Sequence, residues 1–597
     1  MFKFILAVGL AGALLAGCQQ SESPQQETSL SGLDLTIRTT EHRAEDDLLS
    51  AGLGIEGLSS AAPEPSDPAE PTAAELRRLA IYKSWTGIQS FTPAGGLGGL
   101  LSDVPSVPGR EFHAFVTVGD AVHPSRMLVQ LPDDFDAERP CLVVAPASGS
   151  RGVYGAIALV GPWALPAGCA VAYTDKGAGT DFFDYATDTG VALDGTREAR
   201  GAGPLGFEPE AMPEDGDSDA VALRHVHSGD HPEADWGRHV LRAAEFGLQV
   251  LSMTLDGDYS QANTRILAAG LSNGGGAVLR AAELDDAGLL DAVVAVSPNV
   301  SAPEARPLFD YATAAALYQP CLLADLDAVG DMPLGNPALA AMGRVRCASL
   351  VRAGLIDEPE ADAARARLVE SGFEDAALSQ SAVNVALGLW RAIAASYASA
   401  YLQRGSFDMP CGYAYRASEA TAAQRHGWWA MHSGVGPAEG IELGDAAGSG
   451  QDRQFDGLMC LRELWSGDSE DARQLRQAVE ATRATAELPD DKPVIVIHGR
   501  DDGLIPVALS SRPWVEQAQS AGGNVVFWEI ERAQHFDALL GAPGVAGQYV
   551  PLLPYGWRAL EQLGELLDGS GALGEDRVID PDPAPAGEPL RWSDLGL

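Results

Sequence analysis

The sequence predicts an α/β fold, in which helices cover both faces of a mostly parallel central sheet and one large helical segment interrupts the succession of strands. Short apolar runs bounded by Pro, Gly and Ser are typical of strands that are buried on both faces. These runs alternate with helical patterns, which favours parallel strands joined by helices. Between residues 299 and 490 the strand patterns stop and Ala- and Leu-rich helical patterns replace them. One segment is therefore inserted into the sheet domain.

The first part of the sheet domain is predicted over residues 73–298. Its strand patterns are Glu111–Val118, Met127–Leu131, Cys141–Ala145, Ala170–Tyr173, Arg265–Leu271 and Ala292–Val296. Its helical patterns are Tyr154–Val160, Glu233–Leu251 and Gly274–Glu283. The second of these helices is amphipathic, because its apolar residues recur at helical spacing.

The inserted segment, residues 299–490, contains long helical stretches such as Ala361–Val369 and Val383–Tyr401. Strand patterns return at Val494–His498 and Val525–Ile530, inside a second part of the sheet domain over residues 491–568. The insertion falls at the place in the chain where a cap over an active site is commonly found. We therefore expect it to form a helical cap.

Residues 1–18 predict the signal peptide of a lipoprotein. The apolar run Phe4–Leu15 follows a single Lys, is too short to span a bilayer comfortably, and leads into Leu15-Ala16-Gly17-Cys18. This pattern resembles the lipobox of bacterial lipoproteins, in which the cysteine is lipidated. No Asp follows Cys18, so the resemblance implies an exported lipoprotein held in the outer membrane by its N-terminal lipid.

The two ends of the chain beyond the sheet domain are rich in Pro and in acidic or small residues. Residues 19–72 predict a flexible tether between the lipid and the folded body, and residues 569–597 predict a disordered acidic tail. Neither segment carries a motif with a chemical role.

The charge of the chain excludes one class of partner. The formal net charge is −43, with 83 Asp and Glu residues against 40 Lys and Arg residues. Nucleic-acid binding requires a basic patch that neutralises phosphates, so nucleic acid is excluded. A solvated acidic surface that favours solubility is the simplest interpretation. The oligomeric state is left open.

Six cysteines remain after Cys18, and an even number in an exported protein predicts disulfides. The connectivity is open, and we expect pairs between neighbours along the chain. His225, His227 and His231 cluster near Asp230, but no catalytic-zinc motif accompanies them, so they are interpreted as exposed loop residues. We predict no metal and no cofactor.

Gly270-Leu271-Ser272-Asn273-Gly274 lies where an apolar strand ends and a helix begins. A sharp turn in this position presents a serine hydroxyl above the sheet, and small flanking residues relieve crowding. The N-terminus of the following helix favours developing negative charge. Ser272 is therefore the candidate nucleophile.

A candidate acid follows the strand Val494–His498. The chain there reads His498-Gly499-Arg500-Asp501-Asp502-Gly503-Leu504-Ile505-Pro506, which resembles the acid loop of α/β-hydrolases. Asp502 fits the spacing of that loop better than its rival Asp501. His498 is interpreted as a structural histidine at the end of the strand.

A candidate base, His535, follows the strand Val525–Ile530. The order Ser, Asp, His along the chain matches the α/β-hydrolases rather than the chymotrypsin or subtilisin types. The tetrahedral intermediate also needs two hydrogen-bond donors. The backbone N–H of Asn273 is the first candidate, and Ser148 and Gly149, in the loop after Cys141–Ala145, are candidates for the second.

Several stretches resemble the D-(−)-3-hydroxybutyrate oligomer hydrolases over residues 75–565. They are Ser148-Gly149-Ser150-Arg151-Gly152, Tyr173-Thr174-Asp175-Lys176-Gly177, Pro232-Glu233-Ala234-Asp235-Trp236-Gly237-Arg238-His239, Ser272-Asn273-Gly274-Gly275-Gly276 and Ala533-Gln534-His535-Phe536-Asp537. The resemblance implies an enzyme without cofactor that hydrolyses soluble 3-hydroxybutyrate dimers and oligomers to monomers during breakdown of poly(3-hydroxybutyrate).

The acidic composition bears on this substrate, because each oligomer carries a terminal carboxylate that negative charge repels. Arg344, Arg346 and Arg352 in the inserted segment are candidates to bind that carboxylate, although ordinary solvated helix charges are the simpler interpretation.

Two alternative functions stay open. One is a carboxylic ester hydrolase of the tannase or feruloyl-esterase kind, which shares the serine turn but recognises an aromatic acyl group. The other is a lipoprotein that uses a hydrolase body to bind a partner without catalysis; the apparently complete Ser, Asp and His set argues against it.

Overall fold

The computed structural model describes residues 35–597 except 94–95, 211–218, 436–438, 446–447, 449, 490–491 and 543. The predicted signal peptide, Cys18 and residues 19–34 of the predicted tether lie outside the described residues. Within the described ranges, no helix combines the length and the apolar composition needed to cross a membrane.

A ten-stranded sheet forms the centre of the molecule. From one edge to the other its strands are β1 (Arg38–His42), β2 (Gly109–Val116), β3 (Ser125–Pro132), β5 (Ala170–Thr174), β4 (Cys141–Pro146), β10 (Arg265–Leu271), β11 (Ala292–Val296), β14 (Val494–Gly499), β15 (Val525–Ile530) and β16 (Arg577–Ile579). The strands from β5 to β16 in this order are parallel, whereas β1, β2 and β3 pair antiparallel. This order and these directions confirm the predicted α/β-hydrolase fold.

The central strands are buried on both faces, as their uninterrupted apolar sequences require. Every residue of β4, β11, β14 and β15 is buried. Alternate residues of a strand point to opposite faces: Val143 contributes to one hydrophobic core, and its neighbours Leu142 and Val144 contribute to another. The sheet therefore separates two cores.

Helices cover each of these cores. On the face of Val143 lie α2 (Ala73–Thr86), α3 (Ile157–Ala164) and α18 (Leu553–Leu567). On the opposite face lie α5 (Trp236–Thr254), α6 (Asn273–Leu284) and α17 (Ser511–Ser520). The four very short strands β6 (Phe182–Asp184), β7 (Thr189–Val191), β8 (Arg197–Ala199) and β9 (Val221–Leu223) make a separate small sheet, followed by α4 (Arg224–His227).

The inserted segment between β11 and β14 is mainly helical. Its helices are α7 (Leu308–Leu322), α8 (Leu326–Gly330), α9 (Pro337–Arg352), α10 (Ala361–Glu370), α11 (Asp375–Leu378), α12 (Ser381–Ala386), α13 (Leu389–Tyr401), α14 (Ala422–Gly427), α15 (Phe455–Ser466) and α16 (Glu470–Ala481). Most of them share a third hydrophobic core, to which the small sheet also contributes, and α8 and α12 contribute to a smaller cluster. A two-stranded sheet, β12 (Ala414–Arg416) with β13 (Glu442–Gly444), completes this cap.

The stretch Val383–Tyr401, expected to be helical throughout, is broken at Gly388. This glycine has a φ of 62°, a left-handed conformation that ends α12 and precedes α13.

Residues 35–72 belong to the folded body, so the prediction of a flexible tether is wrong for this part. β1 pairs with β2, with Arg38 opposite His113, and α1 (Gly54–Leu58) follows. Leu48 and Leu49 are fully buried in the core that also contains α2. The Pro-rich residues 61–72 suggested a tether, but the apolar residues before them bury enough surface to order the segment.

The C-terminal segment is also folded, and the prediction of a disordered tail over 569–597 is wrong. β16 pairs with β15 and covers the edge of the sheet, with Trp528 opposite Arg577. Leu590 and Leu595 are fully buried, and the Tyr555 hydroxyl donates to the Leu595 carbonyl at 2.7 Å. Isolated apolar residues in a polar segment were enough to fix it to the body.

Three disulfides join cysteines that are neighbours along the chain, as expected. The pairs are Cys141–Cys169, Cys321–Cys347 and Cys411–Cys460. The first joins the beginnings of β4 and β5, and the other two lie within the cap.

Candidate active site

Ser272 occupies a strained turn between β10 and α6. Its φ is 58°, in the left-handed region that non-glycine residues rarely adopt. The turn is tight, because a Cβ placed on Gly270 would lie 2.1 Å from the Gly274 carbonyl oxygen. The Ser272 N–H donates to the Val296 carbonyl at 2.9 Å, which ties the turn to the end of β11. The backbone is therefore fixed in a geometry that presents the side chain at the carboxyl edge of the sheet.

The structure brings the three residues Ser272, His535 and Asp502 into one hydrogen-bonded chain. His535 Nε2 lies 3.0 Å from Ser272 Oγ, and His535 Nδ1 lies 2.6 Å from Asp502 Oδ2. Ser272 is 6% exposed and Asp502 is completely buried. An imidazole held in this way can accept the serine proton at Nε2 while its Nδ1–H remains bonded to a carboxylate.

Asp502 is held as a carboxylate by its surroundings. Its Oδ1 accepts the backbone N–H groups of Leu504 at 3.0 Å and Ile505 at 2.7 Å. Burial alone would raise the pKa of Asp502, but the charges and hydrogen bonds of His535 and His498 outweigh burial and hold this pKa well below its ordinary value. The carboxylate can therefore stabilise an imidazolium beside it.

The rival acid, Asp501, is directed elsewhere. Its N–H donates to the Ala533 carbonyl at 3.0 Å, and among the described residues the side-chain partners of His535 are Ser272 and Asp502. His498 has a structural place, since its Nδ1 lies 2.5 Å from Ser511 Oγ and its Nε2 lies 2.7 Å from the Ile505 carbonyl.

Asn273, the first candidate donor, is the first residue of α6. Its N–H is one of those that an α-helix leaves without an intrahelical partner. Its side chain is engaged instead: Nδ2 donates to the Tyr397 hydroxyl of the cap at 3.0 Å, and Oδ1 accepts from Asn299 Nδ2 at 3.0 Å. The residue after Ser272 therefore connects the sheet domain to α13 of the cap.

The second candidate donors lie in the loop after β4, residues 147–152, which we name the β4 loop. This loop begins against α6, because a Cβ on Gly274 would lie 2.5 Å from the Pro146 carbonyl. The Ser148 N–H donates to the Gly155 carbonyl at 3.4 Å. Within the part of the chain that the structure describes, the N–H groups of Gly149 and Ser150 have no acceptor. The Ser148 N–H is thus engaged, the Gly149 N–H is free to donate, and the Ser150 N–H, which sequence reasoning did not single out, is also free.

The histidine cluster differs from its interpretation as exposed loop residues. His225 and His227 are buried, and the Asp230 carboxylate pairs with Arg224 at 3.1 Å. His225 Nδ1 lies 2.7 Å from Ser150 Oγ, and His227 Nδ1 accepts the Leu223 N–H at 3.0 Å. The contact of His225 was not visible in sequence, because Ser150 lies 75 residues earlier in the chain.

The cap arginines are bound within the cap. Arg346 pairs with Asp452 at 2.7 Å and is buried. Arg344 donates to the Ala324 carbonyl at 3.4 Å, and Arg352 donates to Ser349 Oγ at 2.9 Å. In the structure, the contacts of these three arginines are therefore made with other residues of the cap.

The chain matches a known family over nearly its whole length. The model of the 3HB-oligomer hydrolase family (3HBOH) matches residues 13–589. The D-(−)-3-hydroxybutyrate oligomer hydrolase of Burkholderia ambifaria is 35% identical, covering 97% of this chain and 93% of that protein. The enzyme of the same name from Burkholderia thailandensis is 35% identical, covering 96% of this chain and 92% of that protein.

Among solved structures, the lipase A of Candida antarctica matches 82% of this chain and 84% of its own, at 12% identity and a TM-score of 0.34, which is too low to inform the function. The match of the family model and the identity to full-length relatives are sufficient by themselves: this chain belongs to the 3HB-oligomer hydrolase family.

Proposed function

We propose that this ester hydrolase cleaves D-3-hydroxybutyrate dimers and oligomers to monomers through an acyl-enzyme formed on Ser272. The observation that carries the proposal is the chain of hydrogen bonds from Asp502 Oδ2 to His535 Nδ1 and from His535 Nε2 to Ser272 Oγ, at 2.6 and 3.0 Å. The names of the relatives support the choice of substrate.

The proposed reaction has two halves. His535 Nε2 takes the hydroxyl proton as Ser272 Oγ attacks the ester carbonyl, and the same proton then passes to the departing 3-hydroxy group, which leaves as an alcohol. Water attacks the acyl-enzyme, gives a proton to His535, and releases the acid and the Ser272 hydroxyl. Asp502 holds the imidazole in the required tautomer and stabilises its protonated form in both halves.

The oxyanion of each tetrahedral intermediate needs two donors. We propose the N–H of Asn273, at the start of α6, for the first. Gly149 in the β4 loop is proposed for the second, with Ser150 as its neighbour and alternative. Ser148 is the weaker candidate, because its N–H already has the Gly155 carbonyl as acceptor.

We propose that the enzyme acts outside the cytoplasm, anchored in the outer membrane by a lipid on Cys18. The signal-peptide pattern supports this, and so do three disulfides, which persist in oxidising compartments. In this place the enzyme receives soluble oligomers from a depolymerase that attacks the polymer. Attachment of labelled palmitate to the wild type but not to Cys18→Ala tests the anchor; label retained in the variant contradicts it.

Product analysis tests the substrate. Purified enzyme is incubated with the (R)-3-hydroxybutyrate dimer, trimer and tetramer, the (S)-dimer and methyl ferulate, and released acids are separated by chromatography. We expect monomer from the (R)-series, with Ser272→Ala as the inactive control. Turnover of methyl ferulate alone would contradict the proposed substrate and favour an aromatic ester hydrolase.

A further inference from the structure

Three sequence motifs that the Ser272–His535–Asp502 chain does not use converge on the β4 loop. Lys176 comes from Tyr173-Thr174-Asp175-Lys176-Gly177, Glu233 from the segment that begins at Pro232, and Ser150 from the loop itself. His225, from α4, completes the set. All four side chains are buried, at a place where the cap meets the sheet domain.

Lys176 binds the β4 loop through two carbonyl groups. Its Nζ donates to the Ala147 carbonyl at 2.5 Å and to the Gly149 carbonyl at 2.9 Å, and lies 5.8 Å from the centre of the Trp236 ring. The side chain is 0% exposed and the backbone has a φ of 60°. Burying an ammonium group and holding its residue in a strained backbone conformation both cost stability. We therefore expect this lysine to serve a function at the β4 loop.

Ser150 is held by a second buried chain of hydrogen bonds. His225 Nδ1 lies 2.7 Å from Ser150 Oγ, and His225 Nε2 contacts Glu233 Oε1. Burial opposes ionisation of Glu233, but the charge and hydrogen bond of His225 hold its pKa below the ordinary value. In the tautomer that donates from Nε2 to Glu233, Nδ1 accepts and the Ser150 hydroxyl donates to it.

These contacts account for every carbonyl group of residues 147–150. Lys176 binds those of Ala147 and Gly149, the Arg151 N–H binds that of Ser148 at 3.2 Å, and the Gly434 N–H of the cap binds that of Ser150 at 2.6 Å. In a planar trans peptide the N–H points opposite to the C=O. A fixed Gly149 carbonyl therefore turns the Ser150 N–H away from Lys176, and a fixed Ser148 carbonyl sets the direction of the Gly149 N–H.

We propose that Lys176 and the His225–Glu233 pair are positioning residues that hold the free N–H groups of Gly149 and Ser150 toward the carbonyl attacked by Ser272. This inference rests on the proposed function, because it assigns the second oxyanion donor to the β4 loop. Lys176 orients the loop through its backbone, and His225 fixes it through the Ser150 side chain. Neither residue touches the substrate.

The set Ser150, His225 and Glu233 also has the composition of a second nucleophilic triad, and its geometry argues against that use. The serine contacts Nδ1 and the carboxylate contacts Nε2, the reverse of the arrangement at His535. A fluorophosphonate probe is expected to label Ser272 in the wild type and to leave Ser272→Ala unlabelled. Labelling of Ser150 in Ser272→Ala would overturn the positioning role.

The main test compares Lys176→Met, Lys176→Arg and Lys492→Met. Lys492 is the matched control, because it is also buried and its Nζ pairs with Asp285 at 3.0 Å on the opposite end of the sheet domain. We expect Lys176→Met to lower kcat by about 10²–10³-fold, as for loss of an oxyanion donor, with KM changed by less than about 3-fold. Lys176→Arg should recover part of kcat, and Lys492→Met should keep kcat and lower only the melting temperature.

A second pair of variants, both at His225, tests the contribution of the His225–Glu233 pair. It also keeps the proposal testable if Lys176→Met does not fold. His225→Asn keeps an acceptor near the Nδ1 position, whereas His225→Phe does not. Affinity for an alkyl boronic acid, which forms a tetrahedral adduct with Ser272, should fall in His225→Phe and Ser150→Ala but much less in His225→Asn, while KM stays nearly constant.

The outcomes separate the two proposals. Inactive wild type, or an active Ser272→Ala, removes the proposed function. A different result would contradict the positioning role alone. In that case the wild type is active, and kcat and boronic-acid affinity in folded Lys176→Met, His225→Phe and Ser150→Ala stay within about 2-fold of the wild-type values.

Discussion

Asp501 and Asp502 are adjacent in the chain but meet different surroundings. Asp502 is completely buried and bonded to His535 and to two backbone N–H groups. For Asp501, burial and the charge of Glu531 raise the pKa to about 6. The choice of Asp502 from its spacing in the loop therefore agrees with the geometry, in which only one of the two carboxylates can orient the imidazole.

The two neighbours give a matched pair of variants. Asp502→Asn should lower kcat by about 10⁴-fold, because the amide leaves His535 in the wrong tautomer. Asp501→Asn should retain nearly full kcat, since Asp501 does not bond to His535. Steady-state kinetics on the 3-hydroxybutyrate dimer measures both. The reverse ranking would exchange the roles of the two residues.

The raised pKa of Asp501 also predicts a pH-dependent stability. Between pH 4 and 6 the folded carboxyl binds more protons than the unfolded one, whose pKa is near 3.8, so its contribution to the free energy of unfolding decreases as the pH rises. The asparagine in Asp501→Asn is uncharged over this whole pH range. We expect the variant to gain stability relative to wild type from pH 4 to pH 7, measured by urea unfolding; a constant difference would contradict the assignment.

At the scale of elements, the long apolar strands were predictable and the short edge strands were not. Arg265–Leu271 and Ala292–Val296 agree with the predicted bounds, because both are mainly apolar runs with turn residues beside them. β1 is a polar edge strand of five residues and β16 is an edge strand of only three residues, so neither carries a periodic signal. These two strands form only because they pair with strands that are far away in the chain.

The residues of the candidate site also divide into those that sequence could predict and those that it could not. Ser272, Asp502 and His535 each follow a recognisable strand, so their residue types and order could be predicted. Ser150 and His225 are 75 residues apart and their contact has no local signature. Sequence reasoning therefore selected the three residues that the structure joins by hydrogen bonds, but it did not detect the contact between Ser150 and His225.

The packing of the C-terminal segment on the rest of the protein can be tested by substituting one buried leucine and one exposed leucine. Leu595 is 0% exposed, whereas Leu597 is 43% exposed. Leu595→Ala should lower the free energy of unfolding by about 2–4 kcal/mol, because it leaves a cavity in the hydrophobic core to which Leu595 belongs. Leu597→Ala should change it by less than about 0.5 kcal/mol. Equal, small effects in denaturant unfolding would mean that the tail does not pack on the body.

At the scale of the whole molecule, a net charge of −43 opposes the approach of an anionic oligomer. The Debye length falls from about 30 Å at 0.01 M salt to about 8 Å at 0.15 M, so added salt screens this repulsion. We expect KM for the 3-hydroxybutyrate dimer to fall as NaCl is raised over this range. The dimer methyl ester, which lacks the charge, is the control and should show little change. A KM for the free acid that rises with salt would indicate an attractive site instead.

The cap and the sheet domain are in contact beside Ser272. Asn273 bonds to Tyr397 of α13, and the Ser150 carbonyl bonds to the Gly434 N–H. The cap therefore contacts one proposed oxyanion donor, Asn273, through its side chain and the β4 loop through the Ser150 carbonyl. The insertion between β11 and β14 therefore contacts the proposed site without supplying a member of the Ser272–His535–Asp502 chain.

The covalent intermediate gives the most direct test of the proposed mechanism. The enzyme is mixed with the p-nitrophenyl ester of (R)-3-hydroxybutyrate, quenched in acid, digested and analysed by mass spectrometry. We expect one 3-hydroxybutyryl group on the peptide that contains Ser272, and neither acyl-enzyme nor turnover in Ser272→Ala. An acyl group on another residue, or undiminished turnover in Ser272→Ala, would contradict the mechanism.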